Sequence, residues 1–200
     1  MEAGMIDVAF ALEGHAVPQE HRYALAEALL GTLPWLADEP DAGVHRLKLV
    51  AGGGGESLLS PRTRLTLRVP RGRGDAACAL AGTELRLGPH RLRAGRPQQR
   101  ELLPHGTLYA HLVAAEDADE AAFVERMRAE LAALGVAAQP VCGRWQSTEA
   151  GRLVGCSLML SGLDAAQSLR VLQQGLGGHR RLGCGLFVPH KSAAAVGAPA

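Results

Sequence analysis

The tightest constraint on this chain is an order of hydrophobic patterns that runs through its first half and then again through its second. Residues 5–12 are an apolar run of strand length. Pro18 and Glu20 then open a helix that places Leu25, Leu29 and Leu33 on one face, and Gly31 and Pro34 weaken its end. A second strand is expected over residues 44–50, followed by the glycine stretch 52–55. Residues 63–69 alternate: Leu65, Leu67 and Val69 face one way, and Arg64, Thr66 and Arg68 the other. Asp75 can cap a short helix over residues 76–81, and residues 84–87 with 91–93 complete a strand region.

The second pass begins with a strand over residues 107–114. Asp119 starts a helix with Phe123, Met127, Leu131 and Leu134 on its buried face, and Gly135 stops it. Residues 136–145 and 153–160 read as a pair of strands, and 164–174 as a helix before a final strand over 186–188. Each pass is βαββαβ, so the expected fold class is α+β, with tandem ferredoxin-like (RRM-like) domains. The expected domains are residues 1–97 and 98–191, joined near Gly95 to Arg100, where Pro97-Gln98-Gln99 suits a linker. Residues 192–200, rich in Ala, read as a flexible tail.

Between the last helix and the last strand the chain reads Gly175-Leu176-Gly177-Gly178-His179-Arg180-Arg181-Leu182-Gly183-Cys184-Gly185. Paired Gly-X-Gly turns can expose successive amides to an anion, and the arginines between them supply mobile charge and bidentate donors for phosphate. Gly177, Gly178, His179, Arg180, Arg181 and Gly183 are therefore candidate RNA-binding residues, supported by Lys191 after the final strand.

Formal net charge is only +1, but its distribution is uneven. Residues 1–50 hold eight acidic and three basic residues, whereas 62–100 hold ten Arg and two acids, Asp75 and Glu84. Arg62, Arg64 and Arg68 share the polar side of the alternating strand, and Arg71 and Arg73 extend them into a stripe suited to an RNA stem, which is read by shape and backbone. Aromatic content of 4% argues against recognition by many stacked bases. Cys78, Cys142, Cys156 and Cys184 lie far apart, and no histidine pair has metal-ligand spacing, so neither metal nor cofactor is expected. No apolar run is long enough to cross a membrane, and no signal peptide precedes residue 5, so the chain reads as cytoplasmic.

The glycine loop resembles the C-terminal loop of the repeat-associated CRISPR RNA-binding superfamily. Three further segments resemble one branch of it, the CRISPR-associated endoribonucleases that cut precursor CRISPR RNA within its repeats, and most closely the subtype first defined in myxobacteria. They are Val17-Pro18-Gln19-Glu20-His21-Arg22-Tyr23-Ala24-Leu25, Gly43-Val44-His45-Arg46-Leu47-Lys48 and the stretch from Gly183 to Lys191. The likeness spans residues 5–191. It implies a ferredoxin-like pair, a repeat stem-loop as substrate, and membership of a type I CRISPR surveillance complex.

Such an RNA can be cut without metal. A base removes the 2′-hydroxyl proton, that oxygen attacks the adjacent phosphorus, and an acid protonates the departing 5′-oxygen, leaving a 2′,3′-cyclic phosphate. Histidine suits base or acid because its pKa lies near neutrality. His45 is the first choice: it follows a glycine at the mouth of a strand, with Arg46 and Lys48 beside it. The resemblance implies a catalytic His between the first helix and the second strand, which fits His45, although the family's usual Leu-His pair reads Leu36-Ala37-Asp38 here. In an extended segment Lys48 shares the face of Arg46 rather than of His45, so the preceding loop must turn His45 toward the site. His21 is the second choice, with Tyr23 to orient an imidazole or bond phosphate. The competing reading is a non-catalytic subunit that grips the repeat with the same stripe and loop.

Overall fold

The computed structural model describes residues 4–116 and 119–190. The chain divides into two compact units. The first comprises residues up to Leu102 together with Thr148–Arg152 and His179–Gly183. The second comprises Leu103–Ser147, Leu153–Gly178 and residues from Cys184 on. Lys191 and the tail 192–200 lie outside the described residues.

In the first unit, β1 (Met5–Glu13) alternates so that Ile6, Val8 and Phe10 are fully buried. Next come β2 (Ala16–Pro18), α1 (Arg22–Thr32), β3 (Gly43–Val44), β4 (Val50–Ala51), β5 (Glu56–Leu58), β6 (Arg64–Pro70), α2 (Gly74–Cys78), β7 (Glu84–Leu87) and β8 (His90–Glu101). The main sheet has the order β3-β6-β1-β8-β7, and β2-β5-β4 form a separate small sheet. Removing β7 leaves the ferredoxin-like order, with α1 and α2 as its helices. Leu25 and Leu29 of α1 join the apolar cluster built on β1, β6 and β8.

The second unit follows the same plan without additions. It contains β9 (Thr107–Ala114), α3 (Glu120–Ala133), β10 (Pro140–Thr148), β11 (Leu153–Ser161), α4 (Ala165–Gln174) and β12 (Phe187–Pro189), with sheet order β10-β11-β9-β12. Asp119 caps α3 by accepting from the amides of Ala121 and Ala122 at 3.0 and 3.1 Å. Asp164 and Gln167 form a capping box on α4. Phe123, Met127 and Leu131 are buried as expected, while Leu134 is only half-buried.

Four local expectations are corrected. Pro18 pairs with Glu56 in the small sheet, so α1 starts later, at Arg22. The strand expected over residues 44–50 ends at Val44, because the chain leaves the main sheet there to enter the small one as β4. Asp75 does not cap a helix; it sits inside the first turn of α2 and accepts from Gln99 at 3.0 Å. Pro97-Gln98-Gln99 is no linker but part of β8, paired with Phe10, Ala9 and Val8, so the first unit runs on to Leu102. A register shift between Phe10 and Leu12 lies beside Pro97, where a residue without an N–H breaks the ladder. Among the described residues, no helix is long and apolar enough to cross a membrane.

Candidate active site

A narrow crevice in the first unit is lined by His21, Arg22 and Leu25 of the α1 start, by Val44, His45, Arg46 and Leu47, and by Arg181, Leu182 and Gly183. Local sequence places each group. His21 stands immediately before α1, and its Nδ1 lies 3.0 Å from the Pro18 carbonyl and 3.3 Å from that of Gln19. The amide of Arg22, an orphan donor of the first helical turn, is satisfied by the Glu149 carboxylate at 3.1 Å. Glu149 is buried with φ 55°, a left-handed position in the turn between β10 and β11. Next to it, the amide of Ala150 donates to Glu20 at 2.7 Å.

The far wall is the loop segment His179–Gly183. The Arg22 guanidinium donates to the Leu182 carbonyl at 2.7 Å, Arg180 to the Asp41 carbonyl at 3.0 Å and Arg181 to the Leu36 carbonyl at 3.2 Å. Gly183 has φ 78°, and a Cβ there would lie 2.8 Å from Arg22 Nη1 and 3.2 Å from the Val44 carbonyl oxygen. Only glycine fits that corner.

Behind the crevice, His45 Nε2 lies 3.4 Å from Asp7 Oδ1. Asp7 accepts a fork from Arg68, Nε to Oδ1 at 2.8 Å and Nη2 to Oδ2 at 2.9 Å. Burial pushes the Asp7 carboxyl up, but hydrogen bonds and charge from His45 and Arg68 prevail and hold it far below the usual carboxylate range. Burial lowers the pKa of His45, as do Arg68 and Arg180, against the raising effect of Asp7. His21 is also lowered, again chiefly by burial, against its two carbonyl partners. Burial lowers the Arg180 guanidinium to about 10. Both imidazoles are thus favoured as neutral bases near pH 7.

The structure brings His45, His21, Arg181 and Gly183 together at the crevice and leaves other expected residues elsewhere. Tyr23 lies beneath the Arg152 guanidinium, 3.9 Å from ring centroid to Cζ. Lys48 is exposed and does not line the crevice. The arginine stripe is not a single solvated face. Arg62 and Arg64 are exposed, but Arg68 is 1% exposed and committed to Asp7. Arg71 pairs with Glu101 and Arg73 with Glu39, acids supplied by other elements.

The glycine loop is likewise not an open ring of amides. The amides of Gly175, Leu176, Gly183 and Gly185 donate to protein carbonyls, and that of Gly177 donates to Glu130 Oε2 at 2.7 Å. Its glycines serve positive φ and close backbone approach instead: a Cβ on Gly185 would fall 2.0 Å from the Leu176 carbonyl oxygen. Arg180 is buried rather than mobile, while Gly178 and His179 are exposed.

A family model described as Cas6 matches residues 6–192 of this sequence. The chain belongs to the Cas6 family. Among relatives of this Cas6 protein is the CRISPR-associated endonuclease Cas6 of Myxococcus xanthus (strain DK1622), 39% identical over 194 residues, covering 96% of this chain and 84% of that one. The fold is that of a solved CRISPR-associated Cas6 protein at 13% identity, with a TM-score of 0.68 over 94% of this chain and 99% of the other. The product of a Cas6-related gene from Pyrococcus furiosus matches with a TM-score of 0.60 at 12% identity, over 92% and 98% of the two chains.

Sequence reasoning missed Arg22, which lines the crevice, and Asp7 and Glu149, which hold its residues. Asp7 did carry a signal: it is the only charge in the apolar run 5–12, and a charge inside a strand of that kind needs a partner.

Proposed function

We propose that this crevice is the cleavage site of an endoribonuclease that cuts precursor CRISPR RNA within its repeat, without metal. The observation that carries the reading is that His45 and His21, both favoured as neutral, share one crevice with Arg46 and Arg181 in a chain of the Cas6 family. His45 takes the 2′-hydroxyl proton, the freed oxygen bonds to the adjacent phosphorus, and the 5′-oxygen leaves as it takes up a proton. Arg46 and Arg181 bring positive charge to the phosphate as negative charge gathers on it. The products are a 2′,3′-cyclic phosphate and a 5′-hydroxyl. His21 is the second base candidate.

Tyr23 and Lys48, outside the crevice lining, are assigned to holding the repeat, together with exposed Arg62, Arg64, Gly178 and His179. The protein acts in the cytoplasm and stays on the repeat stem-loop as a subunit of a type I surveillance complex. The test is incubation with end-labelled repeat RNA in EDTA, followed by end-group analysis. One cut bearing a cyclic phosphate is expected. Tight binding without a cut overturns the reading in favour of a repeat-gripping scaffold.

A further inference from the structure

We infer that Asp7 is a positioning residue for His45: it holds the imidazole in the tautomer protonated on Nε2, so that Nδ1 carries the lone pair that accepts the substrate proton. The argument starts from the sheet. β3, β6 and β1 are adjacent, and Arg68 is the register partner of both Asp7 and Gly43. His45 follows β3 directly, and its amide continues the ladder by donating to the Thr66 carbonyl at 2.9 Å. Asp7, Arg68 and Gly43 form one row across the three strands, and His45, two residues past Gly43, lies on the same face, diagonal to Arg68 and within reach of Asp7.

The chemistry then leaves a single assignment. Arg68 is almost fully buried, and a buried guanidinium holding a carboxylate by a two-pronged fork keeps that carboxylate ionised. An ionised carboxylate only accepts hydrogen bonds, so the imidazole nitrogen facing it must carry the hydrogen. That nitrogen is Nε2, and a neutral imidazole has one N–H, which leaves Nδ1 as base. The 3.4 Å separation is at the long end for such a bond. It strengthens when the ring gains a proton, which is when a base needs its partner.

The charged groups around His45 act in opposite senses. Asp7 from β1 favours the imidazolium, whereas Arg68 from β6 and Arg180 from the loop segment oppose it. From α1, His21 and Arg22 line the same crevice.

The kinetic part of this inference rests on His45 being the base; the tautomer does not. Long-range ¹H–¹⁵N correlation spectra of histidine-labelled protein at pH 8 read the tautomer directly. An Nε2–H pattern for His45 is expected in the unaltered protein, and an Nδ1–H pattern overturns the inference. In a folded Asp7→Asn variant, single-turnover cleavage is expected to fall about 10- to 100-fold with repeat affinity retained. The acid limb of its pH–rate profile is expected to move to lower pH, because the imidazolium has lost its anion, and Asp7→Glu should restore part of both. A folded Asp7→Asn variant with the original rate and limb overturns the role of Asp7. If His45→Ala cleaves at full rate, the reading of His45 as base fails instead, and the spectra alone decide the Asp7 contact.

Discussion

β1 and β9 hold the same place in their two sheets, yet the polar faces of the two units differ in kind. In the first unit, Asp7 meets a buried Arg68, and His45 completes the cluster. In the second, Tyr109 and His111 project from β9 into a shallow groove with Arg144, Gln146 and Ser157, and both stay half-buried. The topology is shared, so topology does not make the site. What distinguishes the first unit is the pair of late segments folded with it, Thr148–Arg152 and His179–Gly183, which supply Glu149, Arg180, Arg181, Leu182 and Gly183.

The largest effect that would break this contrast is on cleavage. His45→Ala is expected to reduce single-turnover cleavage of repeat RNA by about 10²- to 10⁴-fold while binding is kept, and His111→Ala to leave the rate unchanged. Equal losses from the two variants would show that the second unit shares the chemistry.

A smaller effect concerns stability. Arg68→Met leaves Asp7 without its main partner, and breaking a buried pair costs about 3–5 kcal/mol, to be read from urea unfolding. Arg71→Ala removes an exposed pair with Glu101 and should leave the urea midpoint where it is. A matching midpoint for the two variants would mean that the charge row in the first unit carries no stability.

The smallest effect is on pH. His21 and His45 have pKa values below the ordinary value of about 6.5. Below that value the unfolded chain binds protons that the native chain refuses, so stability rises with pH and is lost on acidification. Asp7 acts in the same sense only at lower pH, from the ordinary carboxylate value downward. Thermal unfolding should therefore come a few degrees lower at pH 5.5 than at pH 7.5. His21→Gln should shrink that gap, and an undiminished gap would place the titration elsewhere.

Much of the fold was legible in the sequence because hydrophobic period reports which side of an element is apolar. The order βαββαβ, the helix start at Asp119 and most of the buried face of α3 follow from local chemistry. The two histidines of the crevice were also legible, as imidazoles at the start of α1 and the end of β3. Alternation assigned Arg68 to solvent because period says nothing about a carboxylate waiting on the next strand. Arg180 looked mobile for the same reason, since the Asp41 carbonyl that holds it lies 139 residues earlier. The glycine loop looked like an anion cradle because the sequence shows which amides are exposable, not which are already taken by Glu130 or Leu112.

The Arg22 contacts also set an order of assembly. Its amide and guanidinium find partners 127 and 160 residues further along the chain. A ribosome delivers both histidines early, but the wall facing them does not exist until Gly183 has been added. Every chain that stalls or is clipped before that point carries His21 and His45 without the crevice they line. A fragment that stops short of Gly183 therefore cannot inherit the site.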